Sequence, residues 1–156
     1  DLPQHLEARF DIVFTSYGTI GWLPDLDKWA QVISHFLKPG GLFYIIEFHP
    51  LIWMYDYEMS KIEYSYFNDE VIAEESEGTY ADRGADIKMA EYGWNHPTSE
   101  VLNALIGAGL KLESFNEFNF STWNCFKNLR EIGPYKYEFK HLGKKIPYMF
   151  SIKASK

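Results

Sequence analysis

Two stretches decide the fold. Phe10-Asp11-Ile12-Val13-Phe14-Thr15-Ser16-Tyr17 stops at Gly18, and Leu42-Phe43-Tyr44-Ile45-Ile46-Glu47-Phe48 follows some twenty residues later. Each carries consecutive rather than alternating apolar residues, the pattern of a strand covered on both faces in a parallel sheet. Between them Pro24 and Asp25 signal the start of a helix, and Asp25 and Asp27 place negative charge where the helix dipole favours it. Leu26, Trp29, Ile33 and Phe36 recur at three- or four-residue steps, flanked by Ala30 and Leu37, and Pro39-Gly40-Gly41 closes the segment. Strand, helix and strand over this length make a βαβ unit with a right-handed crossover, so the two strands are expected to be parallel neighbours.

The sequence changes character after this unit. Residues 51–94 are polar and aromatic and read as an antiparallel insertion. Ile62, Tyr64 and Tyr66 alternate, and Asn68-Asp69 is a turn signal before Val71-Ile72-Ala73, which predicts a hairpin. Short strands are also expected at Gly78-Thr79-Tyr80 and at Glu91-Tyr92-Gly93-Trp94. A second helix starts at Thr98 or Ser99, carries Val101, Leu102, Leu105 and Ile106 as its stripe, and stops at Gly109. Strands are expected from Leu112 to Phe120 and from Tyr148 to Ala154, with partial order in the long connection between them.

Composition narrows the class. The chain has 156 residues, 46% of them apolar and 18% aromatic, which excludes disordered and low-complexity classes. A net charge of −7 argues against a nucleic-acid partner held by phosphate contacts. No apolar run approaches the ~18 residues of a membrane span. The single cysteine, Cys125, cannot form an internal disulfide and reads as a buried hydrophobe, and a cytoplasmic location is expected. Glu74, Glu75 and Glu77 lack a histidine at ligand spacing and read as a solvated face, so no metal is expected.

The ordered set Phe10-Asp11-Ile12-Val13-Phe14, Trp22-Leu23-Pro24-Asp25 and Leu37-Lys38-Pro39-Gly40-Gly41-Leu42 resembles the second half of the class I S-adenosylmethionine-dependent methyltransferases. Asp1-Leu2-Pro3 resembles the segment that often precedes the family's first strand of this set. Gly107-Ala108-Gly109-Leu110 resembles the close of its late helix. The resemblance covers essentially the whole chain and implies a Rossmann-like α/β fold, a mostly parallel sheet with an antiparallel last strand. Nothing here resembles the family's glycine-rich cofactor loop, or the acidic residue that holds the ribose hydroxyls. Residues 1–156 are therefore expected to be a single partial methyltransferase domain, its C-terminal half, weak or inactive alone. The unpaired sheet edge beside the Phe10 strand allows a homodimer.

Ligands of open α/β sheets bind beyond the carboxyl ends of the strands. That rule nominates Thr15, Ser16, Tyr17 and Gly18 after the first strand, and Glu47 and His49 after the second. The resemblance implies that the residues ending the first strand, Ser16, Tyr17 and Gly18, line the methionine part of S-adenosylmethionine, with Ile20 and Trp22 beside the adenine. The plainer alternative is a tight turn with no ligand. His49 is the first candidate general base and His96 the second, since imidazole titrates near neutrality; a histidine capping a strand end is the competing reading of His49. Glu47, Trp53 and Trp94 are expected to line the cleft for a small-molecule acceptor, although packing of the insertion explains the aromatics equally well. Two further readings remain open: a non-catalytic binding or assembly module, and a nicotinamide-dependent oxidoreductase.

Overall fold

The computed structural model describes residues 2–56, 58–77 and 84–156. A four-stranded sheet organises them, in the order β1 (Phe10–Thr15), β2 (Leu37–Phe48), β8 (Met149–Ser155) and β5 (Lys111–Phe118). β1 and β2 are parallel, with Ile12 opposite Leu42 and Thr15 opposite Ile45. β8 runs antiparallel to both β2 and β5. The expected βαβ unit is thus present, and so is the antiparallel last strand.

Helix α2 (Leu26–Phe36) crosses between β1 and β2, and Asp25 caps it by accepting the Lys28 N–H at 3.0 Å. Helix α3 (Thr98–Gly107) packs beside α2. It starts after Pro97 without a side-chain cap, so neither Thr98 nor Ser99 takes the expected capping role. Leu26, Ala30 and Ile33 from α2, and Val101, Ala104 and Leu105 from α3, bury one face of the sheet with Phe43, Ile45, Phe150 and Ile152. A second apolar cluster forms from Phe48, Ile52, Met59, Phe139, Tyr148 and Met149. It receives the hairpin of β6 (Leu129–Gly133) and β7 (Lys136–Phe139), the ordered part of the long connection before β8.

Three local expectations differ from the structure. Pro39-Gly40-Gly41 does not lie between helix and strand: α2 stops at Phe36 and β2 already begins at Leu37. The glycines instead form an irregularity opposite β1, where a Cβ on Gly41 would sit 2.9 Å from the Lys38 carbonyl and 3.2 Å from that of Asp11. The hairpin of the insertion pairs β3 (Ile72–Glu77) with β4 (Lys88–Gly93), while Ile62 makes only an isolated bridge to Tyr55. Gly78-Thr79-Tyr80 lie outside the described residues. Finally, β1 is not covered on both faces by the described residues. Val13 packs on the helix side, whereas Ile12 and Phe14 are 64% and 57% exposed at the edge of the sheet. A short helix, α1 (Leu2–His5), precedes β1, and no helix among the described residues is long and apolar enough to cross a membrane.

Candidate active site

The chain leaves β1 through Ser16, Tyr17 and Gly18 and enters a 3₁₀ turn at Ile20–Trp22. Gly18 has φ +70°, a left-handed conformation that glycine adopts without a Cβ penalty. Glu47, the penultimate residue of β2, holds this turn. One carboxylate oxygen accepts the N–H groups of Thr19 at 2.7 Å and Ile20 at 3.3 Å, and the other accepts those of Gly18 and Phe48. The side chain is only 1% exposed, so all of its acceptor capacity serves backbone rather than solvent. Burial pushes the Glu47 carboxyl above its ordinary range, against the pull of the four N–H donors.

Beside the turn lies a small cavity of about 10 Å³, room for a water-sized group, lined by Ile20, Phe48, Pro50, Trp53, Trp94, Asn95 and His96 among others. Its wall is drawn from four segments distant in sequence, Phe150 of β8 supplying the fourth. Trp53 meets Phe48 edge-on at 5.6 Å, and the Trp94 N–H donates to the Gly21 carbonyl at 2.9 Å. The His96 Nε2 contacts the Leu23 carbonyl at 2.8 Å, and its Nδ1 lies 3.0 Å from the Glu100 carboxylate and 3.3 Å from the Asn68 amide. The structure therefore brings together four of the nominated residues: Ile20, Trp53, Trp94 and His96. Thr15 is buried, Tyr17 is exposed with its ring 6.5 Å from Phe48, and Glu47 is buried against the turn N–H groups it accepts.

His49 sits at the end of β2 but does not line the cavity. Its Nδ1 accepts the Leu51 N–H at 3.2 Å, which leaves the ring proton on Nε2 to be donated to Glu117 at 2.9 Å. The imidazole is 4% exposed, and burial, opposed by the Glu117 carboxylate, holds it below its ordinary pKa. The sign follows directly. As pH falls below about 6.5 the unfolded chain binds a proton at His49 before the folded chain does, so stability present above that pH is lost toward the lower folded value. His49→Gln should flatten this part of the acid limb. Urea midpoints compared at about pH 7 and about pH 5 measure it, and a variant keeping the full wild-type slope would assign the titration elsewhere.

Sequence reasoning did not single out Asn95. It is buried in the cavity wall, and its amide donates to the carbonyls of Pro50 and Ser65 at 3.2 and 2.9 Å. Cys125, expected as a plain hydrophobe, is half-buried, and burial pushes its thiol up to about 11.

The cofactor implied by the resemblance meets a partial fit. Nothing lies within 4 Å of where a Cβ on Gly18 would stand, so a ligand can approach the backbone there beside Ser16 and Tyr17. The N–H groups of Gly18, Thr19 and Ile20, however, are already committed to Glu47. These residues suit one flank of S-adenosylmethionine through contact, and they offer no free N–H cluster to its carboxylate.

No protein-family model and no curated protein matches the sequence. Solved structures do match. A protein from Listeria monocytogenes, described as a candidate S-adenosylmethionine-dependent methyltransferase, superposes with a TM-score of 0.60 at 14% identity, over 95% of this chain and 62% of that one. An S-adenosylmethionine-dependent methyltransferase from Mesorhizobium loti gives 0.54 at 14% identity, over 97% and 63%. The glycopeptide N-methyltransferase MtfA, solved with S-adenosylmethionine, gives 0.50 at 16% identity, over 96% and 55%. The chain thus spans less than two thirds of each matched chain, and its fold is that of the class I S-adenosylmethionine-dependent methyltransferases.

Proposed function

We propose that this chain forms the acceptor side of an S-adenosylmethionine-dependent methyltransferase acting on a small molecule. The observation that supports the reading best is the meeting of the carboxyl ends of β1 and β2, with the open backbone of Gly18 after the first and Phe48 and Trp53 at and after the second. When bound, S-adenosylmethionine supplies a methyl group on a sulfonium, and such a displacement needs placement and water exclusion more than acid–base help. In this reading Ser16, Tyr17 and Gly18 flank the methionine part, Glu47 fixes the turn that carries them, and Trp53 and Trp94 shape the acceptor pocket. His96 borders that pocket, while His49 steadies the end of β2 through Leu51 and Glu117. The remaining cofactor contacts would come from polypeptide pairing with the free edge of β1.

A second reading, a non-catalytic assembly module, draws support from Glu47 occupying the N–H groups of the turn. Titration with S-adenosylmethionine, followed by a labelled-methyl transfer assay on small acceptors, separates the two. Residues 1–156 alone should bind more weakly than micromolar, and the protein with its β1 edge paired should transfer the label. Micromolar binding by residues 1–156 alone would mean the main cofactor contacts are misassigned. Absence of transfer from the edge-paired protein would favour the assembly module.

A further inference from the structure

We propose that residues 60–71 form a lid over the polar wall of the cleft, opening as one unit to uncover Asn95 and His96. Only the naming of that cleft as the acceptor's rests on the methyltransferase reading. In the closed form the cavity has room for about one water, so an acceptor molecule enters only after part of the wall has moved. Ile20, Phe48 and Phe150 are fixed by packing in the two apolar clusters. Asn95 and His96 are buried as well, but each takes a polar partner from residues 60–71.

The Asn95 amide donates to the Ser65 carbonyl at 2.9 Å, and the Asn68 amide lies 3.3 Å from His96 Nδ1 and 3.4 Å from the Glu100 carboxylate. Tyr66 completes the clasp. Its hydroxyl accepts the Thr98 N–H and donates to Thr98 Oγ1, both at 3.3 Å. Asn95 Oδ1 has no partner among the described residues, so the bonds to Ser65 and Pro50 are that side chain's polar ties. At the start of the segment the Met54 carbonyl accepts the Glu63 and Tyr64 N–H groups at 2.8 and 3.0 Å. Apolar burial does not reinforce these bonds: none of residues 60–71 is buried, and Ile62 and Phe67 are 63% and 62% exposed. A segment held by hydrogen bonds without buried apolar area opens at low cost, and lids are drawn from such segments.

Native-state hydrogen exchange on the intact chain tests the lid. The reporters are the N–H groups of Glu63 and Tyr64, the side-chain amide of Asn95, and the N–H of Thr98, which as the first residue of α3 has no acceptor within the helix. All should exchange about 100-fold faster than amides at the centre of β2 and β8, which open only with the whole fold. Asn68→Ala should speed exchange at Thr98, and Tyr66→Phe should speed it at Glu63 and Tyr64. Each effect should be about fivefold, the worth of one hydrogen bond, although neither side chain supplies the acceptor at the reporting site. Reporters that exchange only by global unfolding overturn the proposal. So does an effect confined to the bond each substitution removes, because the segment would then not move as a unit. Asn95 hydrogens that keep pace with β2 rather than with Glu63 would show an opening that leaves the wall covered, and would overturn it too. Lid opening without methyl transfer from the edge-paired protein would sink the methyltransferase reading and keep the lid. Methyl transfer with reporters locked to the core would do the reverse.

Discussion

Glu47→Gln is expected to destabilise the fold by about 3 kcal/mol. The wild-type carboxylate satisfies four backbone N–H groups, two on each oxygen. Glutamine keeps one acceptor and replaces the other with an NH₂ donor, so two buried N–H groups face a donor whichever way the amide turns. Leaving a buried donor unpaired costs about 1–3 kcal/mol, and two such losses combine. For a domain of this size that corresponds to a fall in Tm of roughly 10 °C. The loss should be concentrated at one place: amide exchange at Gly18, Thr19 and Ile20 should accelerate beyond the change in global stability, because those N–H groups lose their acceptor. Thermal unfolding and residue-resolved hydrogen exchange measure the two effects. A variant within ±0.5 kcal/mol of wild type would show that the clamp does not hold the turn.

That clamp illustrates what could be read from the sequence and what could not. The βαβ unit was legible because its signals are local: consecutive apolar residues in each strand, the Leu26, Ile33 and Phe36 spacing, and Asp25 at the start of α2. The position of Glu47 at a strand's carboxyl end was legible too. Its occupation was not, because its partners lie 27 to 29 residues upstream and are backbone groups, which carry no residue signature. Asn95 was missed for the same reason: its two acceptors stand 45 and 30 residues away, and an unpaired oxygen leaves no trace in composition. The insertion's hairpin was placed wrongly because the alternation of Ile62, Tyr64 and Tyr66 has the strand period without strand partners. The strand that does pair, β3, was read only at its start, Ile72-Ala73, and has no buried side chain among its described residues, so its register is set by backbone bonds to β4 and not by a buried face. The period-two rule detects half-buried strands and is blind to one with no buried side.

The open edge of β1 leads to the other large expected effect, the reversible self-association of residues 1–156. β1 is the outermost strand of the sheet, and Phe10, Ile12 and Phe14 all stand exposed on it. An edge strand with unpaired backbone groups and apolar side chains is a template for a second copy. The natural counterweight is a charge, and Asp11 is the one acidic residue in this strand. Its carboxylate is tied to Lys38 at 2.8 Å, and that contact holds its pKa below the ordinary range, so the edge carries a neutralised pair rather than a repelling charge. Replacing both Ile12 and Phe14 with lysine should weaken association about 100-fold, equivalent to about 3 kcal/mol of lost apolar burial. The fold should survive, because both side chains already point more into solvent than into the core. Sedimentation equilibrium across a concentration series decides the matter, with circular dichroism confirming that the variant is folded. A wild-type chain that stays monomeric at every concentration would remove the homodimer. The β1 edge would then need a different covering, with Ile12 and Phe14 as the contacts that any such polypeptide must bury.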